Sequence, residues 1–144
     1  MTGLTALIID ASVLGKLVLA EPEAALVAQR MQAAGRDVPL LAPALLRYEV
    51  ENLTLQGSQR SETRIAPEEL ARQTAVAAEL VTEVADRPDP FALALKHRLT
   101  SYDAAYLALT LDSGPGARLW TYDAQLARAA EAEGVLARDA DFPA

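Results

Sequence analysis

The sequence of 144 residues contains no cysteine and a single histidine. The absence of cysteine excludes disulfide bonds, thiolate zinc sites and cysteine nucleophiles. One histidine without an HExxH pattern also makes zinc a poor candidate for a metal site. No stretch approaches the roughly 18 uninterrupted apolar residues of a membrane helix, and MTGLTALIID lacks the regions of a signal peptide. We therefore expect an intracellular, cytoplasmic protein.

Basic residues are scarce as well, since 13 Lys and Arg against 20 Asp and Glu give a formal net charge of −7. This balance argues against a general nucleic-acid coat protein, because phosphate binding depends mainly on Lys and Arg. It does not exclude a metal-dependent nuclease, because acids gathered around a bound cation no longer repel an anionic substrate. The length and the hydrophobic fraction of 51% predict one globular domain over residues 1–144.

Hydrophobic periodicity predicts short strands that alternate with helices. We predict strands at 5–10, 38–44, 80–85, 117–123 and around 135–136. We predict helices at 21–35, 45–57, 67–80, 90–99, 100–112 and 124–134, a short helix with Ser12 as its N-cap, and a polar loop over 58–64. This alternation is typical of an α/β domain with a short, mainly parallel sheet between two helical layers.

Four acidic residues stand in hydrophobic segments: Asp10 and Asp123 end predicted strands, and Glu49 and Asp103 lie in apolar helices. Any one of them could be a helix cap or, for Glu49, a partner of Arg47. Ligands of parallel sheets bind at the carboxyl ends of the strands, so we expect the four to share one cleft. Two such charges about 4 Å apart repel by roughly 4 kcal/mol at an effective dielectric of 20. The cluster therefore predicts a bound cation, and its oxygen ligands favour Mg²⁺ or Mn²⁺.

With these segments the sequence resembles the PIN-domain ribonucleases, specifically the VapC-type toxins of prokaryotic toxin–antitoxin pairs. The resemblance runs from IIDASVL to WTYDAQLARAAEAEG and is most specific in LTSYDAAYLALT. The segments carry the family's four acids and their polar neighbours: IIDASVL has Asp10 and Ser12, YEVENL has Glu49 and Asn52, LTSYDAAYLALT has Asp103, and LWTYDAQL has Thr121 and Asp123. The chain carries fewer basic residues than the family commonly does.

The resemblance implies a PIN-like three-layer α/β/α fold and a Mg²⁺-dependent endoribonuclease, with Mn²⁺ as a possible substitute. It implies Asp10 and Asp103 as the principal metal ligands, with Glu49 and Asp123 completing the catalytic site. It also implies a homodimer that is held inactive by a small antitoxin with a basic C-terminal segment.

The polar neighbours of the acids have two interpretations. The resemblance implies that Ser12, Asn52 and Thr121 orient the carboxylates through hydrogen bonds. Ser12 and Thr121 could equally be a helix cap and a strand-end residue. Arg60 and Arg64 in SQRSETR are the best candidates for RNA phosphate contacts, although both could belong to a solvated loop.

Other residues have less specific interpretations. His97, beside Lys96 and Arg98, is expected on the surface near a helix end rather than as a general base. Tyr102 and Tyr106 are expected to pack in a core or an interface rather than to stack on bases. The segments EAALVAQRM and LARQTAVAAEL are more apolar than one small core requires, which predicts a partner surface.

Two functions of other classes stay open. One is a catalytically silent PIN-like module that only binds. The other is a receiver-like regulatory domain that binds Mg²⁺. The receiver-like domain requires paired acids after the first strand and a lysine at the end of a late strand, and the sequence has neither.

Overall fold

The computed structural model of the chain describes residues 3–60, 65–85 and 89–143. The described residues form four strands and seven α-helices, followed by one 3₁₀ turn. The strands are β1 (Ala6–Ile9), β2 (Leu40–Pro43), β3 (Thr82–Val84) and β4 (Ala117–Trp120). The helices are α1 (Ala11–Val18), α2 (Ala24–Gly35), α3 (Leu46–Arg60), α4 (Pro67–Glu79), α5 (Phe91–His97), α6 (Ser101–Asp112) and α7 (Ala124–Ala132), and the 3₁₀ turn is Asp139–Asp141.

The four strands form one parallel sheet in the order β3-β2-β1-β4. Strand β1 is central: Leu7 pairs with Leu40 on one side, and Ile9 pairs with Trp120 on the other. Parallel neighbours cannot be joined by tight turns, so helices connect them and cover the sheet. The predicted α/β fold class is confirmed, and the all-parallel sheet is consistent with a three-layer α/β/α arrangement.

The core is built from β1, β4 and helix α6. All four residues of β1 are buried, and α6 is buried continuously from Ala104 to Thr110 while it packs against β1, β2 and β4. A helix that is apolar on all sides is stable only where other elements surround it. Because α6 is held against the central strand, the first turn of α6 is fixed near the carboxyl end of β1.

Several predicted boundaries are corrected by the structure. Strand β4 ends at Trp120 rather than at residue 123, and the predicted last strand is a single parallel bridge between Leu119 and Leu136. Helix α3 does not end at Gly57 but continues to Arg60, and residues 61–64 of the predicted loop lie outside the described residues. A Cβ atom at Gly57 would collide with Leu19, so this glycine serves close helix packing rather than termination.

No helix in the described ranges is long and apolar enough to cross a membrane.

We expect Gly116→Ala to be much more destabilising than Gly114→Ala. Both glycines have positive φ, +85° and +90°, where a side chain costs about 1–2 kcal/mol. At Gly116 a Cβ atom would also lie 2.6 Å from the carbonyl oxygen of Gly3 and 2.8 Å from Thr5 Cγ2, whereas the space around Gly114 is open. The clash should add about 1–3 kcal/mol. Urea denaturation of the two variants measures the difference, and equal losses would contradict this account of the turn.

Candidate functional site

Asp10 lies directly after β1, at the carboxyl end of the strand, and is only 5% exposed. Its Oδ2 accepts hydrogen bonds from Ser12 Oγ at 2.6 Å and from Thr121 Oγ1 at 2.7 Å. Burial raises the pKa of Asp10. The two hydroxyl groups partly offset this rise, because they stabilise the charged form of the carboxylate.

The two hydroxyl groups are themselves held by backbone donors. Tyr122 N donates to Ser12 Oγ, and Asp123 N donates to Thr121 Oγ1, both at 2.9 Å. Ser12 is therefore not the N-cap of α1, as one interpretation of the sequence had it, because Asp10 occupies that position. The network joins the start of α1 to the segment that follows β4.

Glu49 lies in the first turn of α3 and is half-buried. Its Oε1 and the Tyr106 hydroxyl are buried, and neither has a hydrogen-bond partner of regular geometry among the described residues. Burial raises the pKa of Glu49 to about 7; the nearby Tyr106 hydroxyl opposes this shift, and the charges of Asp10 and Asp103 add to it. Glu49 does not pair with Arg47, whose Nε donates to Glu51 instead.

Asp103 lies in the first turn of α6, but it is not the cap of that helix. Thr100 is the N-cap, and its Oγ1 accepts a hydrogen bond from Asp103 N at 3.1 Å. Burial raises the pKa of the Asp103 carboxyl, and the charges of Asp10 and Asp123 raise it further. The Asp103 carboxylate therefore faces the other acids of the cleft.

Asp123 does not end a strand but is the N-cap of α7. Its Oδ1 accepts a hydrogen bond from Leu126 N at 2.9 Å, which satisfies one of the free donors at the helix start. Its charge nevertheless contributes to the raised pKa of both Asp10 and Asp103. One residue thus has a structural role and also belongs to the acidic cleft.

The charge of Asp10 interacts with those of Glu49, Asp103 and Asp123, so the four predicted acids lie around Asp10. None of them forms an ion pair with a basic side chain in the described part of the chain. Within the same residues, no three acidic or histidine side chains form a ready-made ligand set for one ion.

The donor chemistry of the cleft nevertheless fits a hard divalent cation. All the donors are carboxylate oxygens, and the buried Glu49 Oε1 has no partner among the described residues. Mg²⁺ usually keeps several water ligands and takes only one or two carboxylates from a protein. The residues present therefore suit Mg²⁺ without a closed cage of side chains.

Three further residues were predicted to belong to the site: Asn52, Arg60 and Arg64. Asn52 is exposed and makes no side-chain hydrogen bond to the acids among the described residues. Arg60 ends α3 but its side chain lies outside what the structure describes, as does all of Arg64.

Tyr106 is a member of the site that sequence reasoning missed. It was expected to pack in a core, which it does at 0% exposure, but its hydroxyl also lies beside Glu49. Its spacing of three residues from Asp103 places both on one face of α6, and this signal could have identified it.

His97 corrects another expectation. Its side chain is only 11% exposed, and its Nε2 lies 3.0 Å from Glu133 Oε2. The same Oε2 of Glu133 also accepts a hydrogen bond from Lys96 Nζ at 2.8 Å. The histidine is therefore a structural link between α5 and the end of α7 rather than a surface residue.

Two grooves lie near α3. One of about 500 Å³ opens beside Ser12 and Asp123 and is also lined by Lys16, Gln56 and Tyr122. A slightly larger one of about 560 Å³ lies between α3 and α4, and none of the four acids lines it. We place the candidate site at the acids, because clustered titratable groups with shifted pKa values mark chemistry better than volume does.

No protein-family model and no curated protein sequence matches this chain. Among solved structures, the chain is similar to PAE2754 from Pyrobaculum aerophilum, with a TM-score of 0.66 at 22% sequence identity. The match covers 90% of this chain and 81% of that chain. At this identity the likeness shows a shared fold.

In metal-free buffer, Glu49 should make the protein more stable at pH 5 than at pH 8. Its pKa is raised to about 7 from an ordinary value of 4.5. Between these values the folded state keeps a proton that the unfolded state has lost, so stability decreases as the pH rises. Allowing for the solvent-exposed part of the side chain, we expect a contribution of about 1–2 kcal/mol.

Urea denaturation in EDTA at pH 5, 6, 7 and 8 measures this effect. Glu49→Gln should reduce the pH dependence and be more stable than the parent at pH 8. The matched control is Glu68→Gln in the exposed first turn of α4, which should keep the parent's pH dependence. A Glu49→Gln profile parallel to that of the parent would refute the assignment.

Proposed function

We propose that the chain is a Mg²⁺-dependent endoribonuclease, with Mn²⁺ as a possible substitute, whose catalytic residues are Asp10, Glu49, Asp103 and Asp123. The observation that carries the proposal is the convergence of these four side chains without a basic partner among the described residues. Such an arrangement opposes folding unless a cation neutralises it, so its presence favours a cation-dependent function. The sequence resemblance to PIN-domain ribonucleases supports RNA as the substrate.

Each residue has a proposed role that follows from its position. Asp10 and Asp103 would hold the cation. When bound, Mg²⁺ supplies Lewis-acid activation of a phosphodiester and of water. Glu49, whose Oε1 is buried without a hydrogen bond of regular geometry among the described residues, would complete the acidic site. Asp123 adds negative charge while it caps α7.

Ser12 and Thr121 have a positioning role in this proposal. Both donate to the same oxygen, Oδ2 of Asp10, and so fix the rotation of the carboxylate. A ligand that is held rigidly loses less entropy when a cation or substrate binds.

The alternatives differ from this proposal in testable ways. A receiver-like domain requires a lysine at the end of a late strand, where this chain has Trp120 and Thr121. A silent PIN-like module would bind RNA or a partner through the same cleft without turnover. Cleavage assays separate this module from the enzyme.

The purified protein should cleave single-stranded RNA in Mg²⁺, and EDTA should abolish cleavage. Asp10→Asn or Asp103→Asn should reduce the rate by roughly 100-fold or more, since each removes a charged cation ligand. The matched control is Asp112→Asn, an exposed acid at the opposite end of α6 from Asp103. A gel assay on a labelled oligonucleotide gives the rates.

Folding should survive the Asp10→Asn substitution, because the change reduces repulsion in the cleft. Circular dichroism of each variant provides the control for folding. An Asp10→Asn variant as fast as the parent would show that the site is assigned wrongly, and inactivity of a folded parent in Mg²⁺ or Mn²⁺ would favour the silent module.

We further propose that the enzyme is the toxin of a VapBC-type pair and forms a homodimer. Apolar side chains exposed on the two helices that the sequence singled out support a partner surface: Leu26 on α2 is 42% exposed, and Val76 on α4 is 47% exposed. Phe91 and Leu95 on α5 are also exposed, at 63% and 66%, and share one helix face. The acidic cleft suits an antitoxin that inserts an Arg or Lys side chain among the carboxylates.

Expression of the chain alone should arrest growth, and Asp10→Asn should relieve the arrest. Coexpression of a small protein with a basic C-terminal segment, encoded next to this chain, should relieve it as well. Light scattering should give the mass of a dimer. Harmless expression of active enzyme would remove the toxin assignment, and a monomer at all micromolar concentrations would remove the dimer.

A further inference from the structure

A shallow depression of about 290 Å³ lies where the end of α5 meets α7. It is lined by His97, Arg98, Gln125, Arg128 and Ala129. Gln125 Nε2 donates to the carbonyl oxygen of Arg98 at 3.2 Å, so the turn after α5 is tied directly to α7. The depression is thus formed by two elements in fixed contact.

Its two arginines are exposed and carry no carboxylate partner within the described residues. The acid nearest to Arg128 along α7, Glu131, pairs with Arg138. Glu133 at the end of the helix pairs with Lys96 and His97, so neither acid pairs with an arginine of the depression. In a chain of formal net charge −7, two adjacent arginines free of acids form a local site for an anion.

The backbone of Arg98 supports a role for its side chain. Arg98 follows α5 in the left-handed region, with φ 56° and ψ 44°. This position at a helix end favours glycine, because a side chain there is strained. Its backbone N–H donates to the carbonyl oxygen of Ala94 and its carbonyl oxygen accepts from Gln125, and glycine would supply both groups. The backbone contacts at this strained position therefore do not require the arginine side chain.

The depression lies next to the acidic cleft. Arg98 comes just before Thr100, the N-cap of the helix that carries Asp103. On the other side, Gln125 and Arg128 follow Asp123 on α7, and Arg128 lies about 7 Å further along the helix axis. A polyanion that places one phosphodiester at the acids would pass close to both arginines.

We propose that Arg98 and Arg128 bind the phosphate backbone of single-stranded RNA beside the bond that is cleaved. This inference rests on the proposed function and adds a surface that positions the substrate. Guanidinium groups suit phosphate oxygens because they donate two parallel hydrogen bonds with full charge. Contacts to the backbone fix the register of the strand without reading its sequence.

The test uses Arg98→Gly together with Arg128→Ala. Arg98→Gly keeps the backbone conformation and relieves its strain, so this variant should melt at the same or a higher temperature than the parent. The matched control is Arg36→Ala. Arg36 is an exposed arginine with no carboxylate partner among the described residues, and it lies before the amino end of β2, at the opposite edge of the sheet.

Binding of a fluorescent single-stranded RNA is measured in EDTA across a range of salt concentrations. The double variant should bind about tenfold more weakly at low salt, and the slope of log affinity against log salt should decrease by about 1.4. In Mg²⁺, KM for a long RNA should rise while kcat stays unchanged. Arg36→Ala should behave as the parent in every measurement.

The possible failures are distinguishable. If the parent cleaves RNA and the double variant keeps the parent's RNA affinity and KM, this inference is wrong. The proposed nuclease activity would then be unaffected. Binding that depends on both arginines without any cleavage would support the surface and overturn the proposed enzyme. The surface would not be an RNA site if the parent protein bound no RNA. The same conclusion would follow if the parent bound a polyglutamate peptide as tightly as it binds RNA.

Discussion

The Asp10 carboxylate is buried at the end of the central strand, and its Oδ2 accepts from the hydroxyl groups of Ser12 and Thr121. The bond from Thr121 joins residues 111 positions apart, because Thr121 follows β4 at the other end of the chain. The backbone donors of Tyr122 and Asp123 complete the network and place Asp123 at the start of α7. Removing either hydroxyl would leave a buried charge with fewer donors, which is more costly than losing a neutral hydrogen bond.

The cleft around this carboxylate opposes the stability of the domain that holds it. Burial and mutual repulsion raise the pKa of Asp10, Glu49 and Asp103, so each charged form is less favourable in the folded chain. The continuous apolar packing of β1 and α6 offsets this cost. Stability is thus lost at the carboxyl edge of the sheet, where ligands of parallel sheets bind, and gained in the layer beneath it.

Local patterns were sufficient for the fold class and for most of the elements. Strand β1, helix α4 and helix α6 were predicted almost to the residue, because β1 and α6 are continuous apolar segments and α4 begins with Pro67. The four acids were identifiable because a carboxylate in an apolar segment is costly and so has a reason to be there. Helix α3 was predicted too short, because Gly57 resembles a terminator until its contact with Leu19 is seen.

The sequence by itself therefore determined which segments are helical or extended and which acids stand in apolar surroundings, since these depend on neighbours a few residues away. Only the tertiary structure decided which groups meet: the hydroxyls of Ser12 and Thr121 on Asp10, the burial of His97 against Glu133, and the place of Arg98 beside α7. These contacts join residues that the chain separates by up to about 110 positions. Their distances depend on how helices pack on the sheet, which local periodicity does not encode.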